Sequence, residues 1–99
     1  MSKEDYLFWP PTAFTPNGDN NNDQFRPLLK DFIKDSYEMF IYDRWGKLVF
    51  QTTDYTQGWD GTRFDNGADA NPDSYTYLVL FNTQKNIIVK KTGSFVLLR

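Results

Sequence analysis

The sequence predicts an all-β fold, namely an immunoglobulin-like β-sandwich of about seven antiparallel strands. Aromatic residues make up 18% of the 99 residues, and such a content suits β-strands better than helices. Short apolar runs alternate with turn residues at the spacing that is usual in sandwiches. A chain of this length is long enough to bury one core.

We expect residues 1–99 to form a single domain, of which residues 1–10 are a linker or an artificial start. The first six residues include two acidic side chains where a signal peptide would carry its apolar segment. No apolar run reaches the length of a membrane span. The protein is therefore expected either to be intracellular or to be part of a longer chain whose export signal lies elsewhere.

Three strands are predicted in the middle of the chain. Tyr37–Asp43 and Lys47–Gln51 are rich in apolar, aromatic and β-branched residues, and Gly46 supplies the turn of a hairpin between them. The third strand, Ser74–Phe81, places tyrosine, valine and phenylalanine side chains on one face. Its other face is apolar enough that both faces are expected to be buried or half-buried.

The remaining elements are predicted from weaker patterns. Ile87–Thr92 and Ser94–Arg99 flank Gly93, which we interpret as a β-bulge inside one long strand rather than a turn. Leu28–Lys34 is the only helix candidate, and the same segment fits a strand edge followed by a loop. The Asp-, Asn- and Gly-rich segment Thr62–Asp73 is expected to be a long surface loop.

Composition excludes most enzymatic chemistry. The chain has no Cys and no His, which removes thiol and imidazole nucleophiles, the usual zinc ligands, disulfides and the commonest general base. Carboxylate pairs are the remaining candidates, and they come from Asp43, Asp60, Asp65, Asp69 and Asp73. Turn capping explains aspartates in such loops. We therefore predict no enzymatic activity, no catalytic residue and no required cofactor.

The charge pattern disfavours nucleic acid as a partner. The net charge is -2 and the eleven basic residues are scattered along the chain. Such a distribution exerts no long-range attraction on polyanions or on anionic membrane surfaces.

The segment Phe14–Phe25 is a loop rich in oxygen donors. Four such side chains alternate along it: Asn17, Asp19, Asn21 and Asp23. This spacing lets a tightly wound loop turn several oxygens towards one calcium ion. The same residue types are typical of an ordered turn without metal, and the glycine and glutamate of an EF-hand loop are missing. The two interpretations stay open, with calcium as the only candidate cofactor.

The three tryptophans also allow two interpretations. We predict that Trp45 and Trp59 fold back to plug the ends of the sandwich, each indole N–H reaching a carbonyl oxygen. The alternative is a flat platform on which sugar rings or nucleic-acid bases stack. Trp9 lies beside two prolines, and its environment is left open.

Several motifs, taken in order, resemble one known family. They are FTPNGD at residues 14–19, ND at 22–23, Phe25, IYDRWG at 41–46, VF at 49–50, GWDG at 58–61, SY at 74–75 and TGSFVLLR at 92–99. The sequence is similar to the gliding-motility-associated C-terminal domains of Bacteroidetes, also called type B sorting domains of the type IX secretion system. It departs from them at Asn20, where the family usually has glycine, and at Asp73–Ser74, where a glycine or valine commonly precedes the tyrosine.

The resemblance implies a C-terminal sorting domain of a larger exported protein, often an adhesin. It implies type IX secretion components as partners, including the outer-membrane translocon and a dedicated outer-membrane partner. It also implies passage through the periplasm and the outer membrane to the cell surface or the medium.

We expect the machinery to recognise a folded surface, because the shared motifs lie on loops that only folding brings together. The candidate recognition residues are Arg44, Trp45, Gly46, Phe95, Val96, Leu97, Leu98 and Arg99. Arg44 either contacts the partner or braces Asp43 or Asp60 within the fold. If Phe95–Arg99 is an exposed edge, a strand of a partner or of a second copy could add to it, the latter giving a weak homodimer.

Two alternative functions remain at this stage. A carbohydrate- or partner-binding module at the cell surface would present an exposed, coplanar pair of tryptophans. A hydrolase would need two aspartates that face each other across a cleft.

Overall fold

The computed structural model describes residues 6–16, 24–63 and 67–98. Within them the chain forms seven strands and no helix, which confirms the all-β prediction. The strands are β1 Leu7–Trp9, β2 Ala13–Phe14, β3 Leu28–Lys30, β4 Phe32–Tyr42, β5 Leu48–Thr52, β6 Asp73–Thr83 and β7 Ile88–Leu97. They build a sandwich-like pair of sheets, one with the order β2-β7-β6-β4-β5 and a smaller one that pairs β1 with β3. None of these described elements is an apolar helix of membrane-spanning length.

One strand pair differs from the predicted antiparallel arrangement. Strand β2 runs parallel to β7, with Ala13 opposite Val96 and Phe14 opposite Leu97, whereas β1–β3, β4–β5, β4–β6 and β6–β7 are antiparallel. The chain passes from the small sheet to the large one through Pro10–Pro11, residues that cannot donate ladder hydrogen bonds. Strand β1 thus lies within residues 1–10, the segment predicted to be a linker.

The core lies between the sheets and is built mainly from aromatic rings. In β6, Tyr75, Tyr77 and Phe81 are buried, as the alternation of the sequence predicted. The opposite face of β6 is half-buried at its leucines and exposed at Ser74 and Thr76. At the centre of the core, the rings of Phe25 and Phe95 stack with centroids 3.8 Å apart and an interplanar angle of 11°.

Trp59 closes one side of this core, as predicted. Its side chain is 0% exposed, and its indole N–H donates to the Thr62 carbonyl oxygen at 2.8 Å. Its backbone is tied to Phe25 by two hydrogen bonds of 2.7 and 2.9 Å, one in each direction. The preceding residue has to be small, because a Cβ at Gly58 would lie 2.8 Å from Cβ of Gln24.

The predicted bulge at Gly93 is wrong, although the single long strand is confirmed. Residues of β6 and β7 pair in one unbroken register, in which Gly93 lies directly opposite Tyr77. A Cβ at Gly93 would lie 2.5 Å from the Tyr77 hydroxyl oxygen and 2.7 Å from Cζ of the same ring. Glycine is therefore present because an aromatic ring from the neighbouring strand covers it, an arrangement known from other sheets.

The segment that was a helix candidate is extended. Asp31, with a φ of 63°, separates β3 from β4. Leu29 is buried between the exposed Leu28 and Lys30, so the burial pattern has the period of two that a strand requires. The strand part of the alternative is thus confirmed, whereas residues 32–34, expected in a loop, belong to β4.

The buried Tyr37 gives a prediction for alkaline pH. Desolvation by burial is the main cause that raises its pKa far above the ordinary value of 10.0. Above pH 10 the unfolded chain therefore loses this proton while the folded chain retains it, so the free energy of unfolding falls as the pH rises. Tyr37→Phe removes this pH dependence of the free energy of unfolding. The substitution also removes a long contact of 3.5 Å from the hydroxyl to Sδ of Met39.

We expect Tyr37→Phe to change stability by less than about 1 kcal/mol at pH 7 and to lose less stability than the wild type between pH 10 and 11.5. Urea unfolding at pH 7, 10 and 11.5 measures both effects. Tyr42→Phe, on a half-buried face, controls for the loss of a hydroxyl. Parallel stability curves for Tyr37→Phe and the wild type above pH 10 would contradict the assignment.

Candidate recognition site

The turn between β4 and β5 is held by hydrogen bonds of Asp43. The Asp43 N–H donates to the Lys47 carbonyl oxygen at 2.9 Å, and the Gly46 N–H donates to the Asp43 carbonyl oxygen at 3.0 Å. Oδ1 of Asp43 also accepts the backbone N–H groups of Trp45 and Lys47, both at 2.9 Å. Gly46 has a φ of 82°, which an L-side chain disfavours. An aspartate before a glycine is a combination that stabilises such turns.

Trp45 lies at the tip of this turn and is 83% exposed. The prediction that it plugs the sandwich is therefore wrong. The physical reason is that the hydrogen bonds of Asp43 fix the turn in a conformation that leaves this ring in solvent. The guanidinium carbon of Arg44 lies 5.5 Å from the centroid of the ring, a cation–π distance.

Arg44 forms an ion pair, though not with either aspartate considered from the sequence. Its Nη1 lies 3.3 Å from Oδ2 of Asp73. Asp43 is engaged in the turn, and Oδ1 of Asp60 accepts the N–H and the hydroxyl of Thr62 at 3.0 and 2.6 Å. The Arg44 side chain is still 61% exposed. Since exposed ion pairs contribute only about 0–1 kcal/mol, this contact leaves Arg44 available to a partner.

A cleft of about 190 Å³ adjoins the exposed tryptophan. Its lining consists of Asp43, Arg44, Trp45, Arg63, Asp69, Ala70, Asn71, Asp73 and Tyr75. The far wall is held in place by the Tyr75 hydroxyl, which donates to the Asn71 carbonyl oxygen at 2.6 Å. Ligand pockets typically measure roughly 300–1,000 Å³, so this cleft suits a side chain of a partner better than a whole small molecule.

Two aspartates of the cleft, Asp43 and Asp73, have structural partners. Asp73 pairs with Arg44 and accepts the N–H of Ser74 at 2.7 Å, and Asp43 fixes the turn. Asp65 lies outside the described residues. The geometry thus gives the carboxylates of Asp43 and Asp73 structural roles.

The terminal strand is arranged differently from the prediction. Phe95 and Leu97 are buried in the core, whereas Val96 and Leu98 are exposed. The N–H groups of Val96 and Leu98 donate to the carbonyl oxygens of Thr12 and Phe14, both at 3.0 Å. Strand β2 therefore pairs with this part of the edge, so the open edge on which strand addition at residues 95–99 depended is not present at Val96 and Leu97. Arg99 lies outside the described residues.

The candidate calcium ligands cannot be placed in this geometry, because Asn17, Asp19, Asn21 and Asp23 lie outside the described residues. The residues that flank this segment are close together, since the rings of Phe14 and Phe25 are 6.3 Å apart. Elsewhere, in the described ranges, no group of three or more His, Cys, Asp or Glu side chains is arranged to hold a metal ion. Calcium binding stays a prediction.

Comparison with known proteins gives two findings. The family model described as CHU_C Type IX secretion signal domain matches residues 9–97. Among solved structures, CopC from Methylosinus trichosporium OB3b is similar with a TM-score of 0.55 and 15% sequence identity, over 92% of this chain and 93% of CopC. At this identity the likeness concerns the fold alone. Among curated proteins, none matches the chain.

Proposed function

Since this chain belongs to the family of type IX secretion signal domains, we propose that the secretion machinery recognises it through the exposed turn Arg44–Gly46 and the adjoining cleft. A domain of this family is a sorting signal, and the proteins that carry it are exported to the cell surface or secreted. The proposal concerns which part of the folded surface is recognised.

The observation that supports this site is the exposure of Trp45 on a hydrogen-bonded turn. Tryptophan and arginine are the residues most enriched among binding hot spots, where a large side chain enters a pocket of the partner. The hydrogen bonds of Asp43 order the turn before binding, which lowers the conformational entropy that binding would otherwise cost. Trp45 and Arg44 therefore combine a large apolar group, a charge and a preformed backbone.

The proposed partners are the outer-membrane translocon and a dedicated outer-membrane protein of the same system. We further propose that the domain is carried by an adhesin and performs no catalysis itself. Calcium at Asn17–Asp23 remains part of the proposal, as a structural ion that would order the loop.

Trp45→Ala is expected to abolish most of the export. Loss of a hot-spot tryptophan costs about 2 kcal/mol or more in binding, which weakens partner affinity roughly 30-fold. The domain should remain folded, because the deleted side chain is solvent-exposed. The measurement is the fraction of a fused reporter that reaches the medium or surface of a host with the machinery, alongside thermal unfolding of the purified domain.

Trp9→Ala is the matched control, because Trp9 is also exposed, at 68%, but lies in the small sheet. Its export should equal that of the wild type. Wild-type export of Trp45→Ala would refute the role of the turn. Failure of the wild-type fusion in a host that exports its own signal domains would refute the sorting activity.

A carbohydrate-binding function is less well supported. Trp59 is buried, and the two exposed tryptophans belong to different sheets, Trp9 to β1 and Trp45 to the turn between β4 and β5. The coplanar pair that a sugar platform would need is not found among these residues.

A further inference from the structure

In the part of the chain that the structure describes, most of one edge of β7 has no neighbouring strand. Strand β6 pairs with β7 along its whole length, from Asn82 opposite Ile88 to Asp73 opposite Leu97. On the other side, β2 reaches only Val96 and Leu97. Within the described ranges, no strand pairs with this side of residues 88–94.

The backbone groups along this open edge can be assigned from the register. Val96 and Leu98 donate their N–H groups towards β2. Backbone groups of alternate residues point to the same side of a strand, and the register of β7 is regular. The N–H and C=O groups of Ile88, Lys90, Thr92 and Ser94 therefore point to the open edge.

Within the described residues, the chain leaves this edge uncovered because of two prolines. An extension of β2 towards lower residue numbers would run beside Ser94 and Thr92. Pro10 and Pro11 occupy that extension, and proline has no N–H to donate to a ladder. The chain instead turns away and enters β1 of the other sheet.

We propose that this edge, residues 88–94 of β7, receives an extended, acidic segment of a secretion partner, which adds a strand in line with β2. This inference rests on the proposed function, since it names a second contact with the same machinery. Strand addition uses main-chain hydrogen bonds for affinity and alternate side chains for specificity. The sequence suggested such a contact at residues 95–99. The proposed contact lies instead at residues 88–94 of the same strand.

The side chains on the edge indicate the chemistry of the partner. Ile88 is 77% exposed, and the preceding Ile87 is exposed as well, so the start of the edge offers apolar surface. Lys90 is exposed on the same face as Ile88. Directly opposed side chains of opposite charge stabilise a strand pair. A fitting segment therefore has an apolar residue opposite Ile88 and a carboxylate opposite Lys90.

Lys90 also disfavours a second copy of this chain as the occupant. Antiparallel pairing of two β7 edges in a register centred at Lys90 would bring this residue of one copy directly opposite the same residue of the other. Like charges in such positions destabilise the pair, and edge lysines are a common device against self-association. An acidic strand is attracted by the same residue.

Thr92→Pro tests the edge with little change to the core. The Thr92 N–H points to the open edge, where proline is tolerated, because the ladder with β6 uses the alternate residues. The substitution removes one main-chain bond to the partner, and we expect export to fall roughly three- to tenfold. Thr92→Ala removes only the side chain and should be exported like the wild type.

Lys90→Glu tests the charge and leaves the backbone unchanged, so it also applies if Thr92→Pro does not fold. It should reduce export, and Lys90→Gln should reduce it less. The proposal of an acidic partner strand would be overturned if Lys90→Glu were exported as efficiently as the wild type. It would also be overturned if a folded Thr92→Pro variant were exported as efficiently as the wild type. Reduced export of both variants, with circular dichroism and thermal unfolding like the wild type, would support the proposal.

A peptide experiment separates this inference from the proposed function. The probes are two capped hexapeptides, one alternating valine with glutamate and one alternating valine with lysine. In NMR spectra of the labelled domain, only the glutamate peptide should shift the amides of residues 88–94. Sedimentation of the domain alone tests self-association, and a dimer that Thr92→Pro abolishes would overturn the proposal in favour of a second copy. If Trp45→Ala is exported like the wild type, that result refutes only the proposed role of the turn Arg44–Gly46 and does not bear on the β7 edge.

Discussion

Trp59→Ala is expected to lower the free energy of unfolding by about 3–5 kcal/mol, the usual loss for a fully buried large aromatic side chain. The Trp59 ring is in contact with the rings of Tyr75 and Phe14, at centroid distances of 4.9 and 5.5 Å. Alanine would leave a cavity among these rings. It would also free the Thr62 carbonyl oxygen from its indole partner. Since small domains have a total stability of about 5–15 kcal/mol, the variant should be largely unfolded at elevated temperature.

Chemical denaturation of the wild type, Trp59→Ala and Trp59→Phe tests this expectation. Trp59→Phe keeps a ring but loses the indole N–H, so its stability should be intermediate. Trp45→Ala is a control of the same residue type on the surface and should lie within about 0.5 kcal/mol of the wild type. A loss below about 1 kcal/mol for Trp59→Ala would mean that the core closes around the cavity without this ring.

Gly93→Ala is expected to destabilise the domain by about 1–3 kcal/mol through overpacking. In an unobstructed strand, alanine would be at least as favourable as glycine, because glycine loses more conformational entropy on folding. The sign is reversed here by Tyr77, whose hydroxyl oxygen and Cζ would lie 2.5 and 2.7 Å from the new Cβ. The ring cannot easily move aside, because it packs between Phe25 and Phe8 at centroid distances of 5.7 and 6.0 Å.

A double-mutant cycle with Tyr77→Ala measures this contact directly. Removal of the ring should make Gly93→Ala neutral or slightly stabilising, so the two effects should be strongly non-additive. Ser94→Ala, on the exposed face of the same strand, is the control and should change stability little. If Gly93→Ala remains equally destabilising without the ring, the cause lies in the backbone and not in Tyr77.

Most of β6 and the second half of β4 were predictable from the sequence because their burial alternates over many residues. In β6 this alternation runs over residues 75–83, and in β4 it begins only at Tyr37, which is enough to reveal a period of two in those parts. Residues 32–36 of β4 lack this alternation and were not predicted as part of the strand. Strands β1 and β2 have three and two residues and no visible period. Their positions depend on pairing with residues far along the chain, as in the contact of Ala13 with Val96.

At the candidate site, too, the local sequence was not enough to predict the environment of a residue. Trp45 and Trp59 both lie near glycine and aspartate, yet one is exposed and the other buried. The difference comes from the bridge between Trp59 and Phe25, which no short window contains. Arg44 was identified as a functional candidate from its motif, whereas its ion-pair partner Asp73 lies 29 residues away and was missed.

The pairing of β2 with β7 also determines how the domain bears mechanical load. The two strands are parallel, so tension that pulls Thr12 and Leu98 away from each other acts along both strands. The bonds from Val96 to Thr12 and from Leu98 to Phe14 are then loaded together in shear, whereas a hairpin pulled at its ends opens one bond at a time. The two-residue strand β2 thus transmits a pulling force to the sandwich. If its hydrogen bonds to β7 break, the unpaired edge of β7 becomes longer.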